Sequence, residues 1–379
     1  MARIVLAILT AGLLSGCGFR DAPAGEGTSW PLLYATADQK QLTGVYPDGR
    51  NVTIPIERFL PMPIWSPDGR RLAYVTADEN TRNWAVHVMS LGGAARAVLV
   101  ADGGQIVASR MSWSRDGRWL AALVLGKGKP IVVAVIDVEK QEVRSRFSLP
   151  PELKPSGTVQ IGADPKNFRW SADSRKVLLS NMDGGLVLDT ETGSVERFTD
   201  KASLAEWAGT SDAVYYFEDY RTVGQSGHFY LKKLGSGGSI KVADRNSYGG
   251  AFGLTDGDDE VSVGTMSLSP GGSKLAVLAF SLSRKFSVIQ IYDLQQGQAI
   301  DLSRPFKRFR VDSLAGQLQW APDENSLAVA VGSTKEKDVM EIQLLELRGW
   351  TSKTLARATV RGEEMGWLYF LGKALSWTE

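Results

Sequence analysis

The chain has 379 residues, 43% of them apolar and 22% charged, which is enough to build a large packed core and excludes a disordered polymer. Its 43 Lys and Arg against 42 Asp and Glu leave a formal charge of +1, so bulk charge implies neither nucleic acid nor an anionic membrane surface as a partner. The 40 Gly, 11 Trp and 10 Tyr suit short strands joined by tight turns, and the expectation is an all-β protein. With one cysteine, Cys17, no internal disulfide can form.

In chain order, Met1-Ala2-Arg3 is a short basic start and Ile4 to Leu14 an apolar run too short to span a bilayer. Leu14-Ser15-Gly16-Cys17 follows at once and resembles the lipobox of bacterial lipoproteins, where small residues fit the peptidase and the thiol accepts diacylglycerol. The resemblance implies that residues 1–16 are a cleaved signal peptide and that Cys17 carries the lipid anchor, with two or three acyl chains for stable attachment. In a Gram-negative cell, Gly18 after the cysteine favours the outer membrane facing the periplasm. Residues 17–29, with Ala-Pro-Ala-Gly-Glu-Gly, read as a flexible tether with an r.m.s. reach on the order of 20 Å.

Residues 30–379 carry internal repeats and form one domain. The clearest copies are Trp65-Ser66-Pro67-Asp68-Gly69-Arg70-Arg71-Leu72-Ala73-Tyr74 and Trp113-Ser114-Arg115-Asp116-Gly117-Arg118-Trp119-Leu120-Ala121-Ala122. A third begins at Trp170, and weaker ones begin at Trp207, Leu268 and Trp320. These starts are 48, 57, 37, 61 and 52 residues apart, the length of a four-stranded unit with variable loops. Chemically, each copy is a strand ending at Trp, a turn in which Asp accepts a backbone N–H and Gly takes positive φ, and an apolar return strand. Asp68, Asp116, Asp173 and Asp323 are therefore expected to cap turns rather than to form an acidic ring.

Leu32 to Asp38 aligns with Leu72 to Asp78, and Gln41 to Ile54 continues as two more strands, so the first unit lacks its opening strand. An apolar C-terminal segment, Met365 to Trp377, has no unit of its own. The expectation is a ring of seven four-stranded antiparallel blades, with six or eight as alternatives, closed by a blade shared between the two ends. The repeat resembles that of the TolB-like, WD-repeat-like β-propellers of bacterial envelopes, over about Leu32 to Trp377. The resemblance departs in one respect: an additional N-terminal domain such as TolB itself carries is not expected here. A fold of this kind does not fix a function.

Neither His87 nor His228 has a second ligand at metal spacing, and no nucleophile elbow, phosphate loop or dinucleotide fingerprint occurs. The expectation is a non-enzyme without a cofactor. Loops on the face opposite the repeat turns are long: 147–164, 218–227, 244–260 and 303–312. That face is the candidate partner surface. Asp256, Asp258, Asp259 and Glu260 make one loop acidic, a solvated loop in preference to a Ca²⁺ site; Arg304, Lys307, Arg308 and Arg310, interleaved with Phe306 and Phe309, make another basic. Arg169, Glu206 and Gln319, each just before a repeat Trp, are candidates for the axial channel. The leading expectation is a non-catalytic scaffold that binds an envelope protein or cell-wall polymer, with no nucleic acid. The alternative is a ligand or glycan binder, or a carboxylate-based hydrolase or lyase, working at the axis.

Overall fold

The computed structural model describes residues 32–359, apart from 36–41, 46–47, 49, 55, 57–62, 79–82, 91–94, 102–103, 127–129, 150–167, 182–183, 201, 219–227, 244–260, 282–284, 296–297, 303, 322–323, 334–338 and 350. Cys17, Asp256, Asp258, Asp259, Glu260, Asp323 and the C-terminal segment expected to close the ring lie outside the described residues.

Among the described residues there are 27 strands in seven antiparallel sheets. The first sheet has three strands, β1 (Leu32–Ala35), β2 (Leu42–Val45) and β3 (Asn51–Ile54). Six four-stranded sheets follow, each using four consecutive strands. Their opening strands are β4 (Ile64–Trp65), β8 (Gly104–Trp113), β12 (Phe168–Trp170), β16 (Ala202–Trp207), β20 (Val261–Leu268) and β24 (Ala315–Trp320). Their closing strands are β7 (Arg96–Ala101), β11 (Glu142–Ser148), β15 (Val195–Thr199), β19 (Ser239–Ala243), β23 (Lys307–Val311) and β27 (Thr351–Thr359).

Burial explains why the middle strands lack period-two alternation. In the third sheet, β9 (Trp119–Gly126) is buried from Leu120 to Val124 and β10 (Ile131–Asp137) from Val133 to Asp137, because neighbouring sheets cover both faces. The outermost β11 instead alternates exposed and half-buried residues. Successive sheets pack face to face, and each hydrophobic cluster spans a pair of them. Ala73, Val75 and Val86 of the second sheet join Leu120 and Ala122 of the third; Leu204 and Tyr215 of the fifth join Leu275 and Val277 of the sixth.

The repeat turn is a local clasp. In the second sheet, Ser66 N donates to Arg71 O at 2.8 Å and Gly69 N to Ser66 O at 2.8 Å, while Ser66 Oγ donates to Asp68 at 2.5 Å and accepts from Arg71 N at 3.0 Å. Gly69 has φ +66°, a region a β-carbon disfavours. Ser114 with Asp116 and Ser171 with Asp173 repeat the clasp at 2.5 Å each. These three Asp side chains are thus turn caps.

The strand directions place first-to-second and third-to-fourth connections at one end of the sheets, here called the turn face. Connections from second to third strand and from sheet to sheet lie at the other end. One expectation fails here. The third-to-fourth connection of the sixth sheet, residues 294–306, is long and emerges on the turn face. Two of its described residues anchor it: Ile300 and Leu302 are buried against the fifth and sixth sheets, and Tyr292 Oη donates to Leu302 O at 3.1 Å. Lys307, Arg308 and Arg310 accordingly belong to the outer strand β23 and not to a loop of the opposite face. The physical reason is that Ile300 and Leu302 bury under the sheet edge, while Gln298, Asp301, Arg304 and Phe306 around them stay exposed.

Candidate axial site

The repeat tryptophans link one sheet to the next at the axis. Trp113 Nε1 donates to Ile64 O at 3.2 Å, Trp170 Nε1 to Ser112 O at 2.9 Å, Trp207 Nε1 to Arg169 O at 3.3 Å and Trp320 Nε1 to Ser267 O at 2.9 Å. Each acceptor is the residue just before the equivalent position of the preceding sheet, so the indoles form a chain of donors around the opening strands. A buried indole N–H needs such a partner.

Cations add a second link on the turn face. Arg71 Nη2 donates to Gly117 O of the third sheet at 2.8 Å, Lys176 Nζ to Ser211 O of the fifth at 3.0 Å, and Lys274 Nζ lies 3.9 Å from Glu324 of the seventh. The third sheet has Trp119 at that position. Arg118 and Arg144 both stack on its ring at 4.5 Å, and a polar cleft of about 410 Å³ lies there between the third and fourth sheets, its lining including Asp137, Lys140, Arg175 and Glu191.

At the axial end of the turn face, a cavity of about 80 Å³ is lined by residues of the third to sixth sheets, among them Ser112, Arg115, Arg169, Glu206, Thr210 and Leu268. Arg169 and Glu206 meet here: Arg169 Nε is 3.4 Å from Glu206 Oε2, with the arginine side chain 43% exposed and the glutamate 1%. The buried carboxylate also accepts from Trp207 N at 3.0 Å and from Leu268 N at 3.5 Å. Gln319, on β24, is half-buried and is not among the described residues that line the cavity.

Sequence reasoning did not identify Arg110, Arg115, Thr210 and Leu268. Arg110 is 9% exposed, donates to Ser180 O at 2.9 Å, and has its pKa lowered to about 10 by burial. Thr210 Oγ1 is buried without a hydrogen-bond partner. The available signal was departure from the repeat, most directly Leu268 where five copies have Trp.

The other candidates lie apart. Arg310 stacks on Phe286 at 4.2 Å and pairs with Asp312 at 2.9 Å; Lys307 lies over Phe306, which is 48% exposed. Arg304 pairs with Asp301 at 3.5 Å and Arg308 is exposed on β23. His87 Nε2 is 2.9 Å from Thr76 Oγ1 and its ring stacks on Tyr74, with its pKa lowered by burial. Among the described residues, no group of three His, Cys, Asp or Glu could hold a metal ion, and no helix is long and apolar enough to cross a membrane.

Four-stranded antiparallel sheets stacked one on the next, with their first strands adjacent around an axial cavity, define a β-propeller. No protein-family model matches the chain, and no curated protein matches it. Among solved structures it is similar to the β-propeller domain of the Trilobed protease from Pyrococcus furiosus, with TM-score 0.53 and 14% identity over 87% of this chain and 96% of that one. It is similar as well to an oligogalacturonate lyase in complex with manganese, with TM-score 0.57 and 13% identity over 87% and 86%. TolB from Acinetobacter baumannii matches with TM-score 0.47 and 16% identity over 82% and 67%. At these identities the likeness is one of fold alone.

Proposed function

We propose that this protein is a membrane-anchored interaction scaffold of the bacterial envelope, tethered through acylated Cys17, that presents the face opposite its turns to an envelope protein or cell-wall polymer. One observation carries the reading. The two longest connections, 149–167 and 244–260, both depart from that one end of the sheets, whereas the next longest, 294–306 on the turn face, has Ile300 and Leu302 buried against the sheets, and the Ser-Asp clasps hold the short turns there. Long connections on one side of a rigid scaffold are where binding residues collect. The acidic residues Asp256, Asp258, Asp259 and Glu260 fall in the second of these, 244–260, and favour a basic partner surface.

The test is crosslinked affinity capture from native membranes, comparing wild type with a variant in which those four acids become Asn or Gln. A species recovered with wild type and lost with the variant is expected. Equal recovery by both, or recovery of lipid alone, overturns the reading. Cys17→Ser should move the protein from the membrane to the soluble fraction.

A second reading, ligand binding at the axis, is favoured by the cavity beside Arg169 and Glu206. Capture that changes only with Arg169→Gln would put it first.

A further inference from the structure

The sixth sheet breaks the tryptophan chain, and the break coincides with the axial cavity. Leu268 occupies the position held elsewhere by Trp65, Trp113, Trp170, Trp207 and Trp320. No indole crosses from the sixth sheet to the fifth. Leu268 instead forms part of the cavity wall, and its backbone N reaches the side chain of Glu206. An aliphatic side chain in the place of an indole leaves space, and about 80 Å³ is present. That is roughly the volume share of two or three waters, or of one small polar head group.

Two side chains of this cavity keep unused donor capacity. Thr210 Oγ1 is buried without a partner. Arg169 commits its Nε to Glu206, and its two Nη groups bond to nothing among the described residues. Arg115 stands at the rim without an ion pair among the described residues. The acceptor side is committed: Glu206 Oε1 takes Trp207 N, and Oε2 takes Leu268 N and Arg169 Nε. Arg110 precedes Ser112, which lines the cavity, by two residues on β8 and is not itself among the lining residues. It is nine-tenths buried, and its single hydrogen bond among the described residues is to a backbone carbonyl.

We propose that the cavity bounded by Arg169, Thr210 and Leu268 is a binding site for the carboxylate group of a small monoanionic ligand. The free Nη pair of Arg169 matches the two oxygens of a planar carboxylate, and the Thr210 hydroxyl supplies a third donor. The Glu206 carboxylate, 3.4 Å from Arg169, repels a second negative charge and so selects against a dianion such as phosphate. This site is independent of the scaffold reading, because it lies on the turn face and uses none of the long connections.

The experiment is an NMR titration of the full mature chain with ¹³C-acetate, at constant ionic strength, for wild type and the variants Arg169→Gln, Thr210→Val and Leu268→Trp. Wild type should bind saturably at millimolar acetate, with phosphate competing poorly. Arg169→Gln and Thr210→Val should each weaken binding about ten-fold, the change that ~1.4 kcal/mol produces. Leu268→Trp restores the repeat residue, so acetate binding should vanish while thermal stability is kept or raised. Absence of saturable binding to wild type overturns the proposal. So does unchanged affinity in Thr210→Val together with Leu268→Trp, or equal competition by acetate, phosphate and chloride, which would mark a diffuse positive field.

Discussion

The guanidinium of Arg169 lies 3.4 Å from the carboxylate of Glu206, joining the opening strands of the fourth and fifth sheets beside the axial cavity. The pair is unequal, since Arg169 is partly solvated while Glu206 is 1% exposed and also accepts two backbone N–H groups. The carboxylate is therefore the less replaceable partner. Glu206→Leu strands the Trp207 and Leu268 amides and should cost about 3 kcal/mol, whereas Arg169→Gln should cost under about 1.5 kcal/mol. Urea unfolding midpoints of the two variants distinguish these values, and equal losses would contradict the assignment.

The indole chain should contribute through hydrogen bonding as well as packing. Trp170→Phe keeps most of the ring but removes the donor to Ser112 O. The expected loss is about 1–2 kcal/mol, against about 3–5 kcal/mol for Trp170→Ala, which also opens a cavity between the third and fourth sheets. Equal destabilisation by both substitutions in denaturant melts would show that the indole N–H contributes nothing.

The Ser-Asp clasp is a second local contribution. Ser114 is fully buried and its Oγ accepts from Trp119 N at 2.8 Å while donating to Asp116. Ser114→Ala leaves that amide without its side-chain acceptor and should cost about 1–2 kcal/mol, measured as a lowered thermal midpoint. Ser114→Thr, which keeps the hydroxyl but adds a methyl to a buried turn, separates lost bonding from overpacking.

Acid should weaken the join between the sixth and seventh sheets. Glu324 stands in the glycine position of its own turn at φ +55° and reaches back to the sixth-sheet turn, where Gly271 N and Ser273 Oγ donate to its carboxylate. Desolvation raises its pKa, but the Ser273 and Gly271 hydrogen bonds outweigh this and hold it below 4.5. A folded-state pKa below the unfolded value gives stability that is present above about pH 4.5 and is lost as pH falls through the lower folded value. Wild type should therefore lose more thermal stability than Glu324→Gln between about pH 5 and pH 3. Parallel melting curves for the two proteins over that window would refute this.

The outer strand β23 offers a contrasting case. Arg310 stacks on Phe286 and pairs with Asp312 on the surface. Solvent screens such a pair, so Arg310→Gln should change stability by less than about 1 kcal/mol. A larger shift in the denaturant midpoint would mean that the stack is desolvated.

The sequence by itself determined the all-β class, the antiparallel four-stranded unit and the chemistry of the turn. Each is encoded within a few consecutive residues: Ser66, Asp68, Gly69 and Arg71 close their clasp across five positions. The continuous apolar runs of the middle strands likewise need only a neighbour on each face, whatever that neighbour is. Tertiary structure decided what depends on which residues meet. Glu206 reaches Leu268 across 62 positions, and Trp207 reaches Arg169 across 38. Nothing local in Leu268 announces a cavity; it becomes one because the fifth sheet expects an indole there. In the same way, Arg308 and Arg310 read as loop residues until Ile300 and Leu302 before them found core to bury against and β23 paired with β22 (Phe286–Asp293). Side-chain chemistry along one strand is legible from its own neighbours, but the space between two sheets is a property of both surfaces at once.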